Sequence, residues 1–222
     1  MPNRTNICIE EALRGIYIDF EGTAVDPPSF LGATWLHGDT QNFIQYVLEK
    51  TLWPAARAKA AWCQQARWDD LKEIKELSEK EDRLIFAWSN HEANALQEYS
   101  PEGDWFSSNV INAIPIAKKW KKEFHPDVEF KKDPKQPMLG KNRLDRYLKL
   151  IGYEVPASFG SGNSAGRIRY VRNMLNDRNG DYSKLTPVAK AKWTKALKHN
   201  WHDCDGMREL LIQIADMSNK QR

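Results

Sequence analysis

The segment Gly15-Ile16-Tyr17-Ile18-Asp19-Phe20-Glu21-Gly22 constrains the fold more than any other part of the chain. A short apolar, β-branched run that ends at glycine reads as a strand. Side chains on a strand repeat their direction every two residues, so Asp19 and Glu21 share one face. Asp-x-Glu is a common pattern on solvated surfaces. Two carboxylates at the end of an apolar strand are a different case, because they repel each other and need compensation. A hard divalent cation such as Mg2+ or Mn2+, which favours oxygen donors, would supply it.

The residues around this strand indicate how it is housed. Phe30 to Leu36 reads as a second strand, reached through a turn containing Pro27 and Pro28, and Phe43 to Leu48 as a third. Ala55 to Lys80 is rich in helix formers. Arg83 to Trp88 reads as a buried strand that passes into a helix near Ser89 or Asn90. Helices are expected over Ser108 to Lys122, Asn142 to Leu150, Ala165 to Leu175 and Pro187 to Met217. Pro126, Pro134 and Pro137 mark a loop. Gly160-Ser161-Gly162-Asn163-Ser164 also has loop character, without the spacing of a phosphate-binding P-loop. Early neighbouring strands followed by alternating helix and strand make the fold class α/β, a mixed β-sheet flanked by helices. The 222 residues are read as a single domain, 1–222, with a basic surface insertion around 118–141.

Two further segments carry acids in suggestive places. Glu92 lies just beyond the Arg83–Trp88 strand, where open α/β sheets present side chains to a ligand crevice. A carboxylate in a first helical turn also serves the helix dipole, so this position has a plain structural reading as well. In Lys198-His199-Asn200-Trp201-His202-Asp203-Cys204-Asp205-Gly206-Met207, residues His199, Asp203 and Met207 recur every four positions and share a helix face. Asp205 is rotated from Asp203 by about 200° on a 3.6-residue helix. Only one of the two is expected to face the site, and Asp203 is chosen. His199, His202 and Cys204 do not have the spacing of a structural zinc site.

Charge is distributed unevenly. Up to Val110 there are 10 Lys and Arg against 18 Asp and Glu, and from Ile111 onward 23 against 12. An acidic half that could hold cations, joined to a basic half that could attract phosphate, suits an enzyme acting on nucleic acid, although ordinary solvated helix faces produce the same statistics. Residues 118–149 carry eleven basic side chains against five acidic ones and are the leading candidate for backbone contacts. The nucleic-acid-binding set is Lys118, Lys119, Lys121, Lys122, Arg143, Arg146, Lys149, Arg167, Arg169 and Arg172. Nine tryptophans are many for this length and would fill a core or form a stacking surface. Cys8, Cys63 and Cys204 are odd in number and widely spaced, as expected of free thiols in a reducing compartment. Met1-Pro2-Asn3-Arg4 is not followed by an apolar leader core, and no run approaches a membrane span. A cytoplasmic location is therefore expected.

Taken together, these segments resemble the ribonuclease H-like 3′–5′ exonucleases that use four acidic residues, the DEDD group, and are most similar to predicted RecB-associated ribonuclease H-like nuclease domains. Asp19-Phe20-Glu21 matches the first motif, and Glu92 falls at the middle acidic position with Glu in place of the usual Asp. Asp203-Cys204-Asp205-Gly206-Met207 matches the last motif, in which His199 stands at the position often taken by Tyr, four residues before the aspartate. Lys149-Leu150-Ile151-Gly152 resembles the segment that precedes the final helix. The resemblance spans roughly residues 14–214. It implies a ribonuclease H-like fold and phosphodiester hydrolysis, with Asp19, Glu21, Glu92 and Asp203 holding two Mg2+ or Mn2+ ions and His199 orienting water or accepting its proton. Implied partners are DNA or RNA, with a nuclease or helicase as a further partner. An endonuclease or a noncatalytic nucleic-acid-binding or partner-binding protein would share these features. Trp88 or Trp201 could stack on a terminal base or belong to the core.

Overall fold

The computed structural model describes residues 4–23, 27–132, 140–159 and 164–220. Its centre is strand β1 (Ile16–Glu21), flanked by antiparallel β2 (Phe30–His37) and parallel β5 (Ile85–Ala87). β3 (Thr40–Val47) continues the antiparallel meander, and β6 (Val110–Asn112) pairs parallel to β5. With the two-residue β4 (Gln64–Gln65) beside β3, the sheet order is β4-β3-β2-β1-β5-β6. An antiparallel meander followed by parallel strands, all flanked by helices, is a ribonuclease H-like topology.

Alternation along β1 divides the molecule. Ile16, Ile18 and Phe20 join Leu31, Ala33, Ile85 and Ala87 in one core layer, under helices α3 (Lys72–Glu81), α4 (Asn90–Tyr99) and α5 (Gly103–Asn109). Tyr17 points to the other face, where Phe86 and Ile111 pack with α1 (Ile9–Arg14), α6 (Ile114–Phe124), α7 (Leu144–Leu150) and α9 (Pro187–Lys220). Period two therefore places Asp19 and Glu21 on the side covered by α9. A third apolar cluster joins Phe30 and Val47 to α2 (Trp53–Arg57), α8 (Ser164–Asn176) and the first half of α9 around Trp193.

Two expectations change. The continuous helix over 55–80 is divided into α2, β4, a 3-10 turn at Trp68–Leu71 and α3. Gln64 and Gln65 pair with Tyr46 and Val47, and the Ala66 amide donates to the Val47 carbonyl at 3.0 Å. This edge pairing outweighs helix propensity. The helix expected over 108–122 is instead the end of α5, then β6, then α6, because Val110 and Ile111 are buried beside Ile85 and Phe86. Pro134, Pro137 and Gly160–Asn163 lie outside the described residues. Among the described residues Cys8, Cys63 and Cys204 are free thiols, and no helix is long and apolar enough to cross a membrane.

A candidate metal centre

β1 and α9 bring distant acids together because α9 lies across the meander at β1 and β2. The crossing is anchored by Asn200, fully buried, whose Nδ2 donates to both the Asp19 carbonyl and Asp19 Oδ2 at 2.8 Å. Its Oδ1 accepts from Gln45 Nε2 at 2.8 Å, and the same amide donates to the Leu197 carbonyl at 2.9 Å. Gly32 makes room for this arrangement: a Cβ there would lie 2.0 Å from Asn200 Oδ1.

One turn along α9 from His199 stands Asp203. His199 Nε2 lies 3.6 Å from Glu21 Oε1 and 3.5 Å from Asp203 Oδ2. One ligand atom from each of Glu21, His199 and Asp203 lies within 4.8 Å of the others, so these three residues can hold a metal ion. Glu92 is 5% exposed, and its Oε2 accepts from the Ser89 amide and hydroxyl at 3.2 and 3.0 Å. One oxygen therefore completes a capping box at the start of α4, while the charge also bears on the neighbouring acids.

The electrostatics record the crowding. Asp19 is pushed well above the usual carboxylate range, first by burial and then by the charges of Asp203, Glu21 and Glu92, against the hydrogen bond from Asn200. Burial raises Glu21 to about 7; His199 and Arg167 oppose the rise, while Asp203 adds to it. Asp203 also rises to about 7, through burial and then the charges of Asp145 and Glu92. Glu92 is raised by burial, with its own backbone amide, His91 and Ser89 pulling the other way. Carboxylates crowded together and largely withdrawn from water at such a cost are suited to a divalent cation. Among the described residues the buried Nδ1 of His199 has no hydrogen-bond partner, so the ring is held through Nε2, between the Glu21 and Asp203 carboxylates.

Asp205 is buried elsewhere, accepting from Gln41 at 2.7 Å, Tyr153 at 2.8 Å and Arg208 at 2.8 Å. His202 turns to Tyr153 and stacks on Phe159, and the buried Cys204 thiol is held protonated by its surroundings, so His199, His202 and Cys204 do not converge.

The ten basic residues separate. Arg167 is buried near enough to Glu21 to lower its pKa, and Lys149 lines a cavity of about 220 Å³ with Asp145, Tyr153, His199 and Asp203. Arg143 binds Asp145 at 3.0 and 3.1 Å, and Arg172 binds Glu49 at 2.8 Å. Arg169 is exposed on α8. Arg146 and Lys121 lie over the Phe130 ring. Lys119 reaches Asn6 in a recess shared with Ser218, about 22 Å along α9 from Asp203 at 1.5 Å per residue. Lys118 and Lys122 are exposed on the same helix, α6. Trp88 donates to the Asn142 carbonyl and packs on Tyr147, which anchors the start of α7.

Sequence reasoning missed Asp145 and Asn200. Asp145 begins a short amphipathic helix, and nothing in that pattern marks it. Asn200 had a signal, since it shares the α9 face of His199 and Asp203 and is a polar residue among core positions. Comparison with models of known protein families, with curated proteins and with solved structures finds no match to this chain.

Proposed function

We propose that the chain is a metal-dependent nuclease that hydrolyses phosphodiester bonds, most consistently as a 3′–5′ exonuclease. The observation that carries this reading is the meeting of Glu21 with His199 and Asp203, about 180 positions apart in sequence, at one acidic point where Glu21 and His199 are buried and Asp203 half-buried. Asp19, Glu21, Glu92 and Asp203 carry four negative charges when ionised, which two Mg2+ or Mn2+ ions would balance. Ions held there would lower the pKa of attacking water and neutralise charge at the phosphate and leaving oxygen. The protein's own contribution is placement. Asn200 fixes the Asp19 carboxylate, Ser89 fixes Glu92, and His199, between Glu21 and Asp203, orients water or takes its proton. Arg167 and Lys149 are the cations best placed to draw a phosphate towards the acids.

Labelled single-stranded DNA, duplex DNA and RNA, incubated with Mg2+ or Mn2+, test this. The wild type is expected to shorten a strand progressively from its 3′ end, and Asp19→Ala and Asp203→Ala to abolish the shortening. Cuts confined to the strand interior would replace exonuclease with endonuclease. Salt-sensitive binding without any cleavage would leave a noncatalytic nucleic-acid-binding protein.

A further inference from the structure

On the side of α9 adjoining the acidic face lies a recess of about 510 Å³, lined by Phe43, Trp62, Phe159, Lys198, Trp201 and His202. Its composition is unusual in three respects. Trp62 is the most exposed of the nine tryptophans, at 41%. Lys198 Nζ sits 5.6 Å from the Trp62 ring centre and 5.2 Å from that of Phe159, and Lys59 Nζ lies 6.0 Å from Trp62 on its own account. Among the described residues neither lysine pairs with a carboxylate. His202 stacks on Phe159 with centroids 5.6 Å apart and meets the edge of Trp201 at 4.7 Å, so the wall is built of flat rings.

These features select a ligand. Rings alone would form a cage for a cation, but two lysines already stand over them and would repel one. An anion alone would use the lysines and leave Trp62 in water without purpose. A purely apolar partner would have to desolvate both ammonium groups. A flat π-system carrying a negative charge satisfies rings and lysines together, and a nucleotide is such a group. The recess is also close to the acids: Lys198 and His202 are chain neighbours of His199 and Asp203, and His202 is held by the Tyr153 hydroxyl, 3.2 Å away, on the residue that lines the cavity beside Asp203.

We infer that the Trp62–Phe159–Lys198 recess is a base-stacking subsite for a nucleotide of the single strand presented to the acidic centre. Trp62 stacks on the base as Lys198 and Lys59, on flexible four-carbon stems, turn from its ring to the adjoining phosphates. A base within a duplex has both faces covered, so the subsite demands a single-stranded or unpaired segment. The inference rests on the nuclease reading for its substrate class.

The test measures equilibrium binding in EDTA of a short fluorescent single strand, and of a strand of equal length and charge whose bases are removed. Trp62→Ala is expected to weaken binding of the normal strand about fivefold or more, the lower end of the loss of one stacked ring, and to leave the abasic strand unchanged. Trp62→Phe keeps a ring and is expected to retain most of the affinity, which separates stacking from misfolding. Lys198→Ala is expected to weaken both strands and to flatten the salt dependence. Unaltered affinity in Trp62→Ala, equal losses on both strands, or a wild type that binds no single strand would overturn the subsite. The same proteins assayed for cleavage with Mn2+ keep the two readings apart. Trp62-dependent binding without cleavage would remove hydrolysis and leave the subsite, and cleavage with Trp62-independent binding would do the reverse.

Discussion

Asp203 and Asp205 are two residues apart on α9, yet their surroundings assign them opposite work. Asp203 sits among other acids, and among the described residues the His199 imidazole alone pairs with it. Asp205 is surrounded by donors from Gln41, Tyr153 and Arg208. Asp203→Asn is expected to abolish metal-dependent cleavage while raising the melting temperature of the metal-free protein, since it removes a charge that burial and its neighbours disfavour. Asp205→Asn is expected to retain cleavage and to lose about 1.5–3 kcal/mol of stability, as charge-assisted hydrogen bonds become neutral ones. Cleavage assays beside urea unfolding curves check both. If Asp205→Asn were folded but as inactive as Asp203→Asn, the choice between the two aspartates would be wrong. The 200° rotation between them was readable from helix periodicity. Which of the two faces β1 follows from the apolar residues that dock α9, Met207, Leu210, Leu211 and Ile214, all buried.

At the scale of elements, the site depends on how closely α9 crosses the meander, and Gly32 on β2 sets that approach. Adding a methyl group there would drive into the Asn200 carboxamide, which cannot yield without releasing Asp19, Gln45 or both. Gly32→Ala is expected to cost about 1–3 kcal/mol, the usual price of overpacking, and to lower the melting temperature by roughly 2–4 °C per kcal/mol for a chain of this size. Mn2+ affinity measured by calorimetry is expected to fall with it, about tenfold or more, because a group that orients a ligand is displaced. An unchanged affinity would show that Asn200 does not position Asp19. The long elements were legible before the structure: β1 through an apolar β-branched run, β2 through an apolar run reached by the Pro27–Pro28 turn, and α9 through its four-residue recurrence. β4 and β6 were not, since strands of two and three residues carry no periodicity and exist only through the edges they pair with. Asp145 was hidden for a related reason, because its proximity to Asp203 is created by the docking of α7 on α9. Gly206 permits that contact, for a Cβ there would meet Leu148 Cδ1 at 2.7 Å. The grouping of lysines in 118–149 was legible as composition. Its division between the Asn6 recess, the Phe130 ring and the acidic cavity was not, because the path of α6 away from β6 carries Lys119 to the far end of α9.

For the whole molecule, the acidic centre makes stability depend on pH and on divalent ions in a linked way. In the metal-free protein Glu21 and Asp203 hold their protons up to about 7, whereas in the unfolded chain they would release them near 4. Between those values the native state binds more protons than the unfolded state, so stability must fall as pH rises through that window. The expected loss between pH 5 and pH 8 is on the order of a few kcal/mol, opposite in sign to a protein whose carboxylates are stabilised by salt bridges. Ions that require ionised ligands act in the reverse direction. Mn2+ is expected to raise the melting temperature strongly at pH 8, where the carboxylates are free to ligate, and little at pH 5, where protons compete for the same oxygens. Thermal unfolding at both pH values, with EDTA and with Mn2+, measures the coupling. Asp203→Asn is expected to reduce both the pH slope and the Mn2+ shift, since one carboxylate generates part of each. A melting temperature that rises from pH 5 to pH 8 in EDTA, or a Mn2+ shift equal at the two values, would mean that protons and cations do not share this cluster. The metal assignment and the nuclease reading built on it would then fall together.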